Sequence, residues 1–291
     1  MSVTLEQVNA VVGTQLPPFT YTFTERDTVI YALGIGAPAD WLDPDELKFV
    51  YDHSPEFVAL PTMSTVYGGE LIRYILTGDL QGIKFNPLML VHGEQKIDIR
   101  QTLPTSGEIT CHPVISAIYD KGSGMVVVTD VDCRNVADET IALTQSAMFI
   151  RGLGGYGGER GPSSKVNLPP DRIPDVIHEE TTLTTQALLY RLSGDGNPLH
   201  ADPSAAAMAN FDMPILHGLA TYGFGARAII KHYCDNNPTH FKQMQARFSG
   251  PVFPGDTLIT EMWTTDEGII FQMRVSDRDE VVLSNGLAVV E

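Results

Sequence analysis

The sequence is poor in positive charge and has no long apolar run. Its 291 residues include 19 Lys and Arg against 36 Asp and Glu, so the formal net charge is −17. This charge repels nucleic acid and anionic membrane surfaces, and we expect neither as a partner. No apolar stretch reaches the roughly 18 residues that a membrane-spanning helix needs, and the N-terminal residues show no secretory signal. An anionic ligand would therefore have to be held by local donors.

Cysteine is also scarce. Cys111, Cys133 and Cys234 form no C-x-x-C pair and have no histidine at metal-binding spacing. This pattern favours a reducing compartment. The last residues, 289–291 (VVE), differ from the S-K-L type of peroxisomal address. We expect an intracellular protein, peroxisomal or cytoplasmic, without a clear targeting signal.

Segments of the first half recur in the same order in the second half. Tyr31–Gly34 matches Tyr190–Ser193, and four further pairs of short segments follow along the chain. Five ordered matches predict a duplicated unit of about 120 to 150 residues. We therefore divide the chain into a first repeat at residues 1–150, a glycine-rich linker at 151–176 and a second repeat at 177–291.

In each repeat, one long helical stretch is predicted to precede a set of antiparallel strands. In the second half the helix runs from about Ile215 to Cys234, and its several glycines indicate close packing against a sheet. Alternating or β-branched runs predict the strands. They lie at Glu94–Ile99, Glu108–Ile115, Met125–Asp132, Ile141–Phe149, Thr257–Trp263, Ile269–Val275 and Val281–Val290.

The segment Tyr190–Pro203 carries the residues best suited to chemistry. Asp195, Asn197 and His200 fall in a loop rich in glycine and proline, so all three can face one point. A carboxylate and an imidazole that face the same water can remove and deliver protons, while an amide orients that water. A divalent-metal site is an alternative, although the spacing matches neither an EF-hand nor H-E-x-x-H. A second alternative is that these residues only stabilise turns or cap helices, and Asp202 is interpreted as a helix N-cap.

The first repeat lacks this trio. Alignment of the two repeats places Asp195 opposite Gly36 and His200 opposite Trp41. If the fold alone required these three residues, both repeats would carry them. The difference between the repeats therefore favours a function confined to the second half. His217 and Gly218 lie at the start of the predicted helix, where free N–H groups can stabilise an oxyanion.

These motifs resemble the MaoC family, and within it the type 2 enoyl-CoA hydratases, including the hydratase part of the peroxisomal multifunctional enzyme of β-oxidation. The resemblance implies an α+β double hot-dog fold, in which two antiparallel sheets lie side by side and each wraps around a long helix. The matching segments include YALGIGA (31–37), HGEQ (92–95), YRLSGDGNPLHADP (190–203), FDMPILHGL (211–219) and PVFPGDTL (251–258).

The resemblance also implies a reaction. Water adds reversibly to a trans-2-enoyl-CoA to give the (3R)-3-hydroxyacyl-CoA, without a metal or redox cofactor, in a homodimer. Asp195, Asn197 and His200 would hold the water, and the N–H of Gly218, beside His217, would bind the thioester oxygen. Which of Asp195 and His200 accepts the proton is left open. The family's acyl chain lies in room made by the first repeat, where the helix is cut short or displaced.

Further residues are candidates for auxiliary or CoA-binding roles. Asp52 stands where the family usually carries a glutamate, which makes it an auxiliary candidate. The candidates for binding CoA are His92, Gly93, Gly157, Gly158, Arg160 and Lys165.

Two other functions of hot-dog proteins are alternatives for this chain, namely an acyl-CoA thioesterase and a non-catalytic acyl-CoA binding module.

Overall fold

Ten antiparallel strands form one continuous sheet in this computed structural model, which describes residues 3–162 and 166–291. Two further short strands form a small hairpin. The strands are β1 (Phe19–Phe23), β2 (Asp79–Leu80), β3 (Ile83–Lys84), β4 (Leu90–Ile99), β5 (Gly107–Asp120), β6 (Gly124–Arg134), β7 (Thr140–Arg151), β8 (Val176–Thr181), β9 (Phe241–Phe248), β10 (Thr257–Thr265), β11 (Gly268–Val275) and β12 (Glu280–Val290).

The helices are short except for the last one. Short 3₁₀ turns lie at Pro61–Met63, Pro87–Met89, Arg191–Ser193, Pro198–His200 and Pro238–His240. The α-helices are α1 (Leu5–Val11), α2 (Glu25–Gly34), α3 (Pro44–Leu47), α4 (Ser64–Tyr67), α5 (Gly69–Ile75), α6 (Gln186–Tyr190), α7 (Pro203–Met208) and α8 (Gly218–Tyr233).

The strand order repeats itself in the two halves. It runs β1-β5-β6-β7-β4 and then β9-β12-β11-β10-β8, so the second half reverses the order of the first. The halves meet where β4 pairs with β9, with Glu94 opposite Arg247 and Ile97 opposite Met244. This arrangement confirms the predicted α+β double hot-dog fold, and β4–β7 and β10–β12 confirm the seven predicted strands. β1, β8 and β9 were not predicted.

Helix α8 is the central helix of the second half. Its residues from Leu219 to Ile230 are buried. A Cβ at Gly223 would lie only 2.5 Å from Cγ2 of Ile35, so glycine is needed for the close approach. The predicted start at Ile215 is wrong by three residues, because the Ile215 carbonyl accepts a hydrogen bond from His200 and the Leu216 N–H donates to Val252. These contacts keep residues 215–217 outside the helix.

The first half has no matching long helix among its described residues. Its counterpart is broken into the 3₁₀ turn Pro61–Met63 and the short helices α4 and α5. The break falls at Gly68, whose backbone leaves the helical region with ψ of 12°. The prediction of one long helix in each repeat is therefore wrong for the first half. A shortened helix is what the family resemblance implies at this place.

The glycine-rich segment after β7 is held by a carboxylate of β5. Asp120 accepts hydrogen bonds from the N–H groups of Gly122 at 2.8 Å, Gly155 at 2.8 Å and Gly157 at 2.9 Å. These backbone donors, Gly155 first, lower the pKa of the Asp120 carboxyl. The loop is thus fixed to the β5–β6 hairpin by contacts within the chain. Lys165, a candidate cation, lies outside the described residues.

None of the helices in the described ranges has the length and apolar character that crossing a membrane requires.

Candidate active site

Two short 3₁₀ turns shape the loop that carries Asp195, Asn197 and His200. Gly194 lies between them with φ of +117°, a conformation that side chains other than glycine rarely adopt. The Asp195 carboxylate accepts the N–H of Asn197 at 3.1 Å, and the Asn197 side-chain oxygen accepts the N–H of Leu199 at 3.1 Å. Asn197 therefore caps the turn that presents His200, and its amide NH₂ is the part that can reach a water.

The hydrogen bonding of His200 fixes which ring nitrogen carries the proton. Its Nδ1 lies 2.8 Å from the carbonyl oxygen of Ile215, and a carbonyl only accepts, so Nδ1 is the donor. The side chain is 8% exposed, and burial lowers its pKa from 6.5, so the ring is neutral at pH 7. Its Nε2 consequently offers a lone pair that can accept a proton.

His217 lies directly against His200. The two imidazole rings stack with centroids 3.7 Å apart, and the ring of Tyr190 lies 4.8 Å from that of His217. The Nε2 of His217 donates to the backbone carbonyl of Asp195 at 3.2 Å, while its Nδ1 is buried without a partner among the described residues. Burial, followed by the nearby His200, lowers the pKa of His217 to about 3. His217 thus ties the Asp195 loop to the start of α8.

The polar atoms of these residues converge. One oxygen of Asp195 and one ring nitrogen each of His200 and His217 lie within 4.8 Å of one another. Such a group of polar atoms can bind a water, and two imidazoles with a carboxylate could also hold a divalent metal ion. The charge of Asp195 also favours a proton on His200. Asp195 and His200 are therefore placed to work on one bound molecule.

The N-terminus of α8 lies next to this cluster, because His217 is the residue that precedes the helix. Gly218 is the first helical residue and follows His217, so its N–H has no acceptor within the helix. A Cβ at Gly218 would lie 3.1 Å from Cδ1 of Phe248, which shows how closely the Phe248 ring covers this position. The helix dipole adds to the ability of these N–H groups to stabilise negative charge.

His92 of the first half reaches this site. Its ring packs edge-on against Phe248 with centroids 4.8 Å apart, and its Nε2 is buried with no hydrogen-bond partner in the part of the chain that the structure describes. Burial lowers the pKa of His92 to about 4, and the negative charge of Asp195 partly offsets that effect. A neutral imidazole with an unpaired nitrogen therefore lies beside the trio, contributed by the other repeat.

The remaining candidates lie elsewhere. Asp52 is exposed in the turn after α3, outside the cluster of converging atoms. The N–H of Gly157 is already bound by Asp120, and Gly158 packs beside the ring of Tyr156. Arg160 is exposed, and its backbone carbonyl accepts a hydrogen bond from Lys121. The structure thus brings together Asp195, His200 and His217, with Asn197 hydrogen-bonded to Asp195, Gly218 next to His217, and His92 near enough to Asp195 to interact with its charge. Asp52 and the two loop glycines lie elsewhere.

Sequence analysis assigned no role to Phe248 and Tyr190. Phe248 packs between His92 and Gly218, and Tyr190 packs against His217. Tyr190 begins the motif that carries the trio, so its place in that motif was a usable signal. Phe248 could not be assigned in this way, because its contact with His92 depends on the pairing of β4 with β9.

Two family models match the chain. The MFE-2 hydratase 2 N-terminal domain matches residues 21–152, and the MaoC like domain matches residues 165–285. The first match covers the half without the trio, and the second covers the half that contains it.

Individual proteins match over nearly the whole chain. A Dictyostelium discoideum protein named probable enoyl-CoA hydratase 2 is 38% identical over 98% of this chain and 96% of its own length. An Arabidopsis thaliana protein named enoyl-CoA hydratase 2, peroxisomal, is 41% identical over 93% of this chain and 91% of its own length. The crystal structure of a MaoC-like dehydratase from Phytophthora capsici has a TM-score of 0.89 and 33% identity, and the match covers 99% of this chain and 98% of that one.

Proposed function

Because the chain belongs to the enoyl-CoA hydratase 2 family, with a MaoC-like second half, we propose that it hydrates trans-2-enoyl-CoA to (3R)-3-hydroxyacyl-CoA in fatty-acid β-oxidation. The observation that carries this proposal is the meeting of three features at one place. They are the Asp195 carboxylate, a ring nitrogen of His200, and the N-terminus of α8 at Gly218, which directly follows His217, the third member of the cluster. The first two can activate water, and the third can stabilise a thioester enolate.

In this mechanism Asp195, His200 and the Asn197 amide hold a water. Because the Nδ1 proton of His200 is committed to Ile215, Nε2 takes a proton from the water as its oxygen bonds to C3. Asp195 accepts the water's other hydrogen bond and stabilises the imidazolium that forms. Buried surroundings keep His200 neutral beforehand, so it is ready to act as the base at pH 7.

Attack at C3 moves the electrons of the C2–C3 double bond toward the thioester. The developing negative charge collects on the thioester oxygen, where the Gly218 N–H and the start of α8 stabilise it. His200 then returns its proton to C2, so the elements of water are divided between C3 and C2. His217 contributes by holding the Asp195 backbone and stacking on His200, which positions both groups.

The CoA part of the substrate would be bound by His92, Gly93 and Arg160. The unpaired Nε2 of His92, beside Phe248, supports its part in this binding. Gly157 and Gly158 are less well supported as CoA ligands, since Asp120 already occupies the Gly157 N–H. Asp52 remains a prediction as an auxiliary residue. No metal or redox group takes part in the proposed chemistry, so we expect EDTA to leave the rate unchanged.

We propose a homodimer as the functional state. Trp41 and Leu42 are adjacent apolar residues that are 71% and 67% exposed, and such an exposed apolar pair supports an association surface. Light scattering should give twice the chain mass of 31.8 kDa. The peroxisomal relative from Arabidopsis thaliana supports a peroxisomal location, with a cytoplasmic one as the alternative, and fractionation of cells distinguishes them.

The test is the loss of enoyl absorbance from crotonyl-CoA, with chiral analysis of the product. We expect (3R)-3-hydroxybutyryl-CoA from the wild type, and a large loss of kcat in Asp195→Asn and His200→Ala. Asp202→Asn is the matched control, because Asp202 only caps α7 through the Ser204 N–H at 2.8 Å and asparagine can do the same. Release of free CoA without the hydroxy product would indicate a thioesterase, and binding without turnover would indicate a binding module.

A further inference from the structure

The converging atoms of the candidate active site have the composition of a zinc site. Two imidazole nitrogens and one carboxylate oxygen, from His200, His217 and Asp195, lie within 4.8 Å of one another, and this is the one such group found among residues 3–162 and 166–291. Zinc sites that keep a position for water commonly have three protein ligands of these types. Ligand atoms on one tetrahedral zinc are about 3.3 Å apart, so a modest closing of the three side chains would bring their atoms onto one ion.

Each histidine already makes the second hydrogen bond that orients an imidazole on a metal. Nδ1 of His200 donates to the Ile215 carbonyl at 2.8 Å, and Nε2 of His217 donates to the Asp195 carbonyl at 3.2 Å. Metal-bound histidines typically donate their other N–H to such an acceptor. Each ring therefore keeps one nitrogen whose lone pair is available to a metal ion. The rings stack with centroids 3.7 Å apart, which brings the two side chains close enough to share one ion.

Another touching pair of histidines gives a contrast within the same chain. Nδ1 of His178, on β8, lies 3.1 Å from Nε2 of His232, in the last turn of α8. Nε2 of His178 lies 3.4 Å from the Glu180 carboxylate, so both nitrogens of His178 are engaged. Glu180 is also paired with Arg227 at 2.7 Å. This pair therefore has fewer lone pairs to offer a metal ion and serves as a control.

We propose that Asp195, His200 and His217 bind zinc and that the bound ion inhibits the hydratase. Asp195 is partly exposed, so an ion can reach the cluster from solvent, and the net charge of −17 attracts cations. Zinc takes the lone pair with which His200 accepts a proton from water. Even a hydroxide bound to the zinc leaves C2 without its proton donor, because a zinc-bound His200 has no proton to return. Zinc binding is independent of the proposed function, whereas the inhibition rests on it.

The test is a calorimetric titration of the metal-free protein with zinc chloride, beside an assay of crotonyl-CoA hydration. We expect one zinc ion per chain and loss of hydration at one equivalent of zinc, which EDTA restores. Asp195→Asn and His217→Phe should each bind zinc at least about tenfold more weakly, because the loss of even an indirect partner of a metal ligand typically costs about 10- to 100-fold in affinity. His178→Gln/His232→Gln is the matched control and should bind zinc as the wild type does.

Equal zinc affinity of the wild type and Asp195→Asn would overturn the proposal, as would loss of the zinc site in the histidine control. Asp195→Asn is the deciding variant, because asparagine keeps an acceptor for the Asn197 N–H and so preserves the loop. Zinc bound at this site without an effect on hydration would also overturn the proposal. If the metal-free wild type does not hydrate crotonyl-CoA, the proposed function fails, and the calorimetric result still decides the zinc site.

Discussion

His217 should make the stability of the protein depend on pH in a defined window. Its side chain is 1% exposed, and burial lowers its pKa from 6.5 to about 3. Between these values the unfolded chain binds a proton that the folded protein does not, so the free energy of unfolding falls as pH falls from 6.5 toward 3. At pH 5 the loss from this one group is about 2 kcal/mol, from 1.36 kcal/mol for each pH unit below 6.5.

The perturbation is His217→Phe, which keeps a ring against His200 and Tyr190. At pH 7 the variant should be less stable by about 1 to 3 kcal/mol, because the carbonyl of Asp195 loses its donor. Since phenylalanine does not titrate, this deficit should shrink by about 2 kcal/mol at pH 5. His92 and His200 are present in both proteins, so their titration largely cancels.

Urea denaturation of both proteins at pH 7 and pH 5 measures this change. The comparison uses the pH dependence of the difference, so a constant packing cost of the phenylalanine does not affect it. His112→Phe, at an exposed position on β5, is the control for replacing a histidine by phenylalanine elsewhere in the chain. A His217→Phe deficit that stays constant between pH 7 and pH 5 would refute a buried, neutral His217.

Three further predictions concern catalysis and the linker. Gly218→Pro removes the N–H at the first helical position, which tolerates proline, whereas Gly218→Ala keeps the N–H and places a similar Cβ against Phe248. The kcat of the proline variant should therefore be about 100- to 1000-fold lower than that of the alanine variant. Because burial lowers the pKa of His200, protonation should reduce kcat/KM only at a pH below 6.5, and an acidic limb above that value would contradict its role as the neutral base. Asp120→Ala should expose the segment around Gly157 to proteolysis, and digestion no faster than for the wild type would show that these hydrogen bonds do not fix the loop.

The sequence predicted much of the fold because each repeat carries a clear periodicity. The seven predicted strands alternate or are rich in β-branched residues, and the order of the duplicated segments agrees with the strand order of the sheet. β8 and β9 were missed since they carry many polar side chains, such as Lys242 and Gln243 on β9. β1 was missed although Phe19, Tyr21 and Phe23 alternate with threonine, which is a usable strand signal.

The trio could be predicted because it lies in a continuous motif, whereas the start of α8 was predicted three residues too early. The orientation of His200 could not, since its tautomer depends on the carbonyl of Ile215, which is distant in the sequence. The contact between His92 and Phe248 depends on the β4–β9 junction, so no local pattern reveals it. Gly157 was a candidate for binding CoA because it lies in the glycine-rich loop, whereas its N–H is bound by Asp120, a residue of β5.

The most direct test of the proposed chemistry is the fate of the oxygen atom of water. Crotonyl-CoA is turned over in water labelled with heavy oxygen, and the products are analysed by mass spectrometry. Attack at C3 by water held at Asp195 and His200 predicts one heavy oxygen in the hydroxyl group of intact 3-hydroxybutyryl-CoA. Heavy oxygen in a free carboxylate, together with released CoA, would contradict the account, because the water would then have attacked the thioester carbon.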